Sequence, residues 1–152
     1  MGKRRDPQAA RVGAATSAKN TVLAVLRAAD RIRQRVTAAL EPHDLTSQQY
    51  NVLRILRGAR GERLPTLEIA ARMIERSPGI TRLLDRLEEK GLVARQRCRQ
   101  DRRQVLCEIT PQGLELLRQL DEPIDRVDEA SVSALGESER LRLVELLRAL
   151  DR

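Results

Sequence analysis

SPGITRLLDRLEEKGLVARQRCRQDRRQVLCEIT, residues 77–110, holds a helix, a stop signal and a hairpin in that order. Ser77 has the side chain of an N-cap, and Pro78 suits the first helical position, where no N–H is needed. Ile80, Leu83, Leu84 and Leu87 recur at i, i+3, i+4 and i+7, so one face of this helix is apolar. Gly91 is placed to end it just past the cap. Two β-prone runs follow, over residues 92–98 and 103–110, around a polar tip of Arg99, Gln100, Asp101 and Arg102. The stretch predicts an amphipathic helix followed by a hairpin rich in arginine.

Charge collects on the same stretch. Residues 72–103 carry 10 Lys+Arg against 5 Asp+Glu, a net of +5. Residues 104–152 carry 6 against 11, a net of −5, and residues 1–71 carry 13 against 6, a net of +7. A basic helix beside a basic hairpin fits double-stranded DNA, with the helix in the major groove and the hairpin along phosphates or in the minor groove.

The rest of the chain frames that unit. Its 152 residues suffice for one domain with dimerisation arms. Hydrophobic residues make up 41%, yet there is one Tyr, no Phe and no Trp, so the core must be aliphatic. No apolar run approaches the roughly 18 residues of a membrane span. The basic N-terminus lacks the apolar centre of a signal peptide. A cytoplasmic protein with no membrane partner is expected. Two cysteines suit a reducing compartment and suggest no disulfide framework.

Residues 1–16 read as a flexible basic arm. Over residues 17–44, Val22, Val25, Leu26, Ala29, Ile32, Val36 and Leu40 keep a helical period until Pro42 stops it. Thr46 and Gln49 have capping-box spacing at the head of a second helix, with Leu53 and Leu56 as its buried edge and Gly58 as its cap. Residues 59–64 read as a loop. A third, short helix is expected from 65 or 66 to about 75. Two helices across a tight turn make a helix-turn-helix, and the hairpin after them is a wing. Thr110 and Pro111 open another helix, which Pro123 should kink. A turn over 133–138, containing Gly136, precedes the last helix. That helix carries Leu141, Leu143, Val144, Leu146, Leu147 and Leu150 on more than one face. It needs a second surface, most simply its own copy, with Leu141, Val144, Leu147 and Leu150 as the dimerisation set. The expected fold is mainly α with a small β-hairpin wing. Its parts are an arm (1–16), an N-terminal dimerisation helix (17–44), a winged helix-turn-helix (45–110) and C-terminal dimerisation helices (111–152).

Four motifs in this order carry a resemblance. They are LTSQQYNVLRIL at 45–56, ITRLLDRLEEKGLVAR at 80–95, DRR at 101–103 and ITPQG at 109–113. Together they resemble the MarR family of bacterial transcription regulators, over about residues 21–150. The resemblance implies a homodimer, a palindromic operator and control by a small, frequently aromatic or phenolic, effector. It also implies roles for residues. Ser77, Pro78, Gly79, Thr81 and Arg82 would face the major groove, with Arg86 one turn beyond. Asp101 and Arg103 would form the wing-tip pair in which the carboxylate orients the arginine, flanked by Arg97, Arg99 and Arg102. The chain departs from the family at two places: Ile74 stands where the turn usually has glycine, and Gly79 where Ser or Thr is more common. Arg82 can fork onto guanine or hold a phosphate, and both readings stay open.

Other chemistry finds little support. One histidine and two cysteines lack the number and spacing of a zinc site, and no cofactor is expected. No catalytic triad or phosphate loop is present, so an enzyme is not expected. His43 and Tyr50 are the candidate effector contacts, Tyr50 being the one aromatic that can stack. Cys107 alternates with Val105 and Ile109 as a small core residue. Cys98 lies between Arg97 and Arg99, which favours a thiolate and leaves a redox-sensing regulator as an alternative. A turn centred on residues 100–101 would set Cys98 near Arg103 and Cys107 near Arg95, so the two would not pair. A constitutive architectural DNA binder without an effector is the other alternative.

Overall fold

A computed structural model describes residues 17–75 and 79–150. The arm expected over 1–16 lies outside the described residues, as do Ser77 and Pro78. Helix α1, Ala18–Leu40, opens with Ser17 Oγ accepting from the Asn20 N–H at 3.3 Å. Pro42 falls in a 3₁₀ turn, Glu41–His43, and Asp44 then reverses the chain with a left-handed φ of 51°. The capping box forms as expected. Thr46 Oγ1 accepts from the Gln49 N–H and Gln49 Oε1 from the Thr46 N–H, both at 3.1 Å, at the head of α2, Ser47–Gly58.

Beyond α2 the structure corrects the expected boundaries. Gly58 is the last helical residue and Ala59 the cap; the left-handed residues are Arg60 and Gly61. The expected loop over 59–64 ends in a strand, β1, Leu64–Pro65. Two residues are too few to show the alternation by which strands are read. Helix α3 is Thr66–Arg72 and stops short of residue 75. Met73 turns extended (ψ 137°) and is buried. The following N–H, that of Ile74, is taken at 3.0 Å by Asn51 Oδ1 from α2. A side-chain acceptor replaces the helix carbonyl there, which fixes the turn without glycine.

Helix α4, Ile80–Glu89, has Gly79 at its N-cap with no side-chain cap, two residues later than sequence spacing suggests. Its C-terminus is a complete Schellman closure: the Gly91 N–H bonds Glu88 O at 2.8 Å and the Leu92 N–H bonds Leu87 O at 2.9 Å. Gly91 has φ 70°, which glycine adopts without penalty. Strands β2, Val93–Arg97, and β3, Val105–Ile109, pair antiparallel, and β1 joins the other side of β3, giving the order β1-β3-β2. Cys107 faces Arg95 as expected. The Cys98 N–H bonds Gln104 O at 2.9 Å, so Cys98 faces Gln104 and not Arg103. The strands are shorter than expected because the tip folds as a seven-residue loop, 98–104, about Asp101.

Helix α5, Pro111–Val132, starts on the wing's base. Thr110 Oγ1 accepts from the Gly113 N–H at 3.1 Å and donates to Gly91 O at 2.7 Å. The helix runs on through Pro123. Helix α6, Glu137–Leu150, is tied back by Arg140, which forks onto Glu129 of α5 at 3.1 and 2.7 Å. The core is aliphatic: Leu40, Leu53, Leu56, Ile69, Leu84, Leu87, Leu117 and Leu120 are fully buried. No residue of α6 is buried, and Leu40 alone is buried in α1. Among the described residues no helix is long and apolar enough to cross a membrane.

Candidate nucleic-acid interface

The amphipathic period of α4 sends Leu84 and Leu87 into the core and leaves Thr81, Arg82 and Arg86 exposed. Arg82 and Arg86 are one turn apart on the outer face. On the wing, Arg97, Arg99, Arg102 and Arg103 are all exposed. The two groups adjoin. Thr81 of α4, Arg103 and Gln104 of the wing, and Thr66 and Leu67 of α3 line one cleft of about 480 Å³. Leu67 is 83% exposed there, although its period suggests a buried position.

The arginines of this surface stand outside the ion pairs, as do Lys19, Arg27, Arg31, Arg35, Arg54, Arg60 and Arg148 elsewhere among the described residues. Among the described residues, Arg82, Arg86, Arg97, Arg99, Arg102 and Arg103 enter no salt bridge, whereas ten other cations do. Arg95 shows the contrast. It turns inward from β2 to Asp85 at 2.7 Å and Glu88 at 2.6 Å, binding the wing to α4. The Glu88 hydrogen bond holds its guanidinium all the more firmly charged. Sequence reading passed over this positioning role. Its signal was present, since Asp85 and Glu88 stand three apart on one helical edge facing GLVAR. Lys90 supports the far end of α4, bonding the carbonyl and carboxylate of Asp44, which lowers the Asp44 pKa from its usual value.

The wing tip works differently from the arrangement the resemblance implies. Asp101 Oδ1 accepts from the Arg103 backbone N–H at 3.0 Å, and Oδ2 from the Gln104 side-chain amide at 3.2 Å. Among the described residues no ion pair joins Asp101 to the Arg103 guanidinium. The carboxylate thus shapes the turn that carries Arg103 and leaves the guanidinium unbound. This is the usual habit of Asp in turns, satisfying backbone N–H groups two residues on.

A second cavity, of about 410 Å³, lies where α1, α2, α5 and the turn after α3 meet. Tyr50 lines it and is also a core residue, 6% exposed. Burial raises its hydroxyl pKa, against the pull of Arg54, whose guanidinium lies 5.8 Å from the ring centroid. His43 does not line it. The 3₁₀ turn Glu41–His43 precedes the N-cap of α2 and leaves His43 half-buried, so of the two expected effector contacts only Tyr50 lines this cavity. Arg33, Asn51, Arg54 and Glu75 line the cavity and were not singled out from sequence, because side chains from three helices and a turn build it. Cys107 is fully buried, which raises its thiol pKa, while Cys98 is half-buried just past β2.

Comparison with known proteins agrees with this geometry. The MarR family model matches residues 45–105, which span α2 to the start of β3. The HTH-type transcriptional regulator FarR of Neisseria gonorrhoeae is 28% identical over 128 residues, covering 84% of this chain and 86% of that protein. A MarR transcription factor from Planctomyces limnophilus is 36% identical, with a TM-score of 0.70, over 88% of this chain and 97% of that one. The structure of NadR in complex with 4-hydroxyphenylacetate is 26% identical, with a TM-score of 0.69, over 99% and 97%. With its helix-turn-helix, its arginine-bearing wing and a likeness along nearly its whole length, the chain belongs to the MarR family of transcriptional regulators.

Proposed function

We propose that this regulator binds a palindromic operator as a homodimer, acts as a repressor in the cytoplasm, and releases DNA when a small aromatic acid enters the Tyr50 cavity. The observation that carries the reading is the cluster, on α4 and the wing, of six exposed arginines that enter no ion pair among the described residues. Cations left unpaired on one surface can displace condensed counterions from a duplex, whereas paired ones cannot do so without breaking their bridges. In this reading residues 45–110 read DNA, while 17–44 and 111–152 join two copies. Thr81, Arg82 and Arg86 enter the major groove, with Ser77, Pro78 and Gly79 beside them. Arg97, Arg99, Arg102 and Arg103, shaped by Asp101, follow the phosphates or the minor groove.

The ligand part rests on the cavity's chemistry. An apolar floor, one aromatic ring and two guanidinium groups, Arg33 and Arg54, suit a ring bearing a carboxylate. NadR, which shares the fold, was solved with such a molecule. Selecting bound duplexes from a random pool and titrating the winner across salt tests the DNA reading. With about 6–10 phosphate contacts per dimer, affinity should fall roughly 10³–10⁵-fold between 50 and 200 mM salt. A flat salt response would sink it.

A further inference from the structure

The turn after α3 borders the Tyr50 cavity and leads towards Gly79 and α4. Two side chains hold it there. Asn51 Oδ1 accepts from the Ile74 N–H at 3.0 Å, and Arg33 Nε, from the middle of α1, donates to Glu75 Oε1 at 2.6 Å. Among the described residues no other ion pair joins α1 to the helix-turn-helix. Both partners line the cavity, and both are about half exposed, at 50% and 44%. Arg33 also lies 3.7 Å from Asp30. The cavity therefore contains a cation already engaged by an acid that belongs to the DNA-reading unit. Its other charged groups are Arg54, over Tyr50, and Asp128.

We infer that the Arg33–Glu75 pair is the latch through which an occupant of this cavity controls the position of α4. The inference rests on the ligand-responsive reading above and deepens it. An anion in the cavity takes the Arg33 guanidinium. Glu75 then faces a like charge at short range, and the turn loses one of its two tethers. The sign follows from preorganisation. A held turn presents Thr81 and Arg82 in one arrangement, so DNA binding has less freedom to remove. Freeing the turn weakens binding. Linkage makes the coupling reciprocal: with Glu75 neutralised, Arg33 is open and the anion binds more tightly.

The test uses the full chain, the selected duplex, benzoate as the anionic probe and benzyl alcohol as its uncharged counterpart. Arg33→Gln, Glu75→Gln and the charge-exchanged double variant Arg33→Glu/Glu75→Arg are compared with wild type at matched melting temperature. Each single variant should lose about 5-fold or more in DNA affinity. The double variant should recover to within about 2-fold, since the pair is restored in reverse. Benzoate should weaken DNA binding by wild type and add little in Glu75→Gln, and benzyl alcohol should leave wild type unchanged. Benzoate binding measured without DNA should tighten in Glu75→Gln and weaken in Arg33→Gln. Wild-type DNA affinity in both single variants would overturn the latch. Benzoate and benzyl alcohol acting alike would overturn an anion as its key. Failure of wild type to bind any duplex would defeat the DNA reading, and the DNA-free titrations would then decide the latch alone: benzoate affinity unchanged by Glu75→Gln would overturn it.

Discussion

Among individual residues, the arginines divide by what they touch. Arg82 projects from α4 and Arg103 from a turn that Asp101 shapes. Arg82→Ala should relax preference at one or two symmetric base positions, costing about 1–3 kcal/mol per half-site on the preferred duplex. Arg103→Ala should weaken preferred and scrambled duplexes alike and flatten the salt slope. Asp101→Ala removes acceptors from a backbone N–H and from Gln104, so it should loosen the whole tip and resemble Arg103→Ala. Binding of each variant to both duplexes across a salt series checks all three; if Arg103→Ala alone changes base preference, the roles are reversed. The site was legible in part. Arg82 and Arg86 could be read from period and charge because a helix maps sequence spacing onto a face. The acceptor role of Asp101 could not be read in detail, since one carboxylate can serve a guanidinium or a backbone N–H with the same sequence. His43 is near Tyr50 in sequence but stays outside the lining of the Tyr50 cavity, because a turn and a cap lie between them and closeness along the chain does not set where a side chain points.

For elements, the decisive join is between the wing and α5. Gly113 is packed so that an added Cβ would stand 2.4 Å from Leu92 O and 2.8 Å from Ile109 Cγ1. The first of these is backbone and cannot swing aside. Gly113→Ala should therefore destabilise by about 1–3 kcal/mol, towards the upper end, as overpacking does. In a chain of this size that lowers Tm by roughly 2–4 °C per kcal/mol. An unchanged melting temperature would show that the hairpin base yields freely. The longer helices were legible in this chain because they repeat their apolar residues over several turns and several carry cap signals, as at Thr46 and Thr110. Strand β1 was not, because its pairing with Cys107 and Leu106 is decided by a partner some 40 residues away. The end of α3 depends likewise on Asn51, which no local pattern announces.

For the whole molecule, the protomer leaves its two ends uncovered. Leu141, Val144, Leu147 and Leu150 of α6 are between 39 and 67% exposed, and Val22, Leu26 and Ile32 of α1 are exposed as well. Apolar surface of this extent on terminal helices calls for a second copy. The chain should sediment as a dimer at micromolar concentration. Ending it before Gly136 should leave monomer or aggregate; a soluble monomer that still binds the duplex tightly would refute the arrangement. The three-stranded sheet has the opposite character. One border is β1, only two residues long, with a proline that has no N–H to offer. The other is β2, which carries Arg95, Gln96 and Arg97. Short, proline-bearing and charged borders give an incoming strand little to pair with. The wing is thus the part of the molecule least able to seed fibrils, and any tendency of this protein to clump on heating should begin at the leucine-rich ends and not at its β-structure.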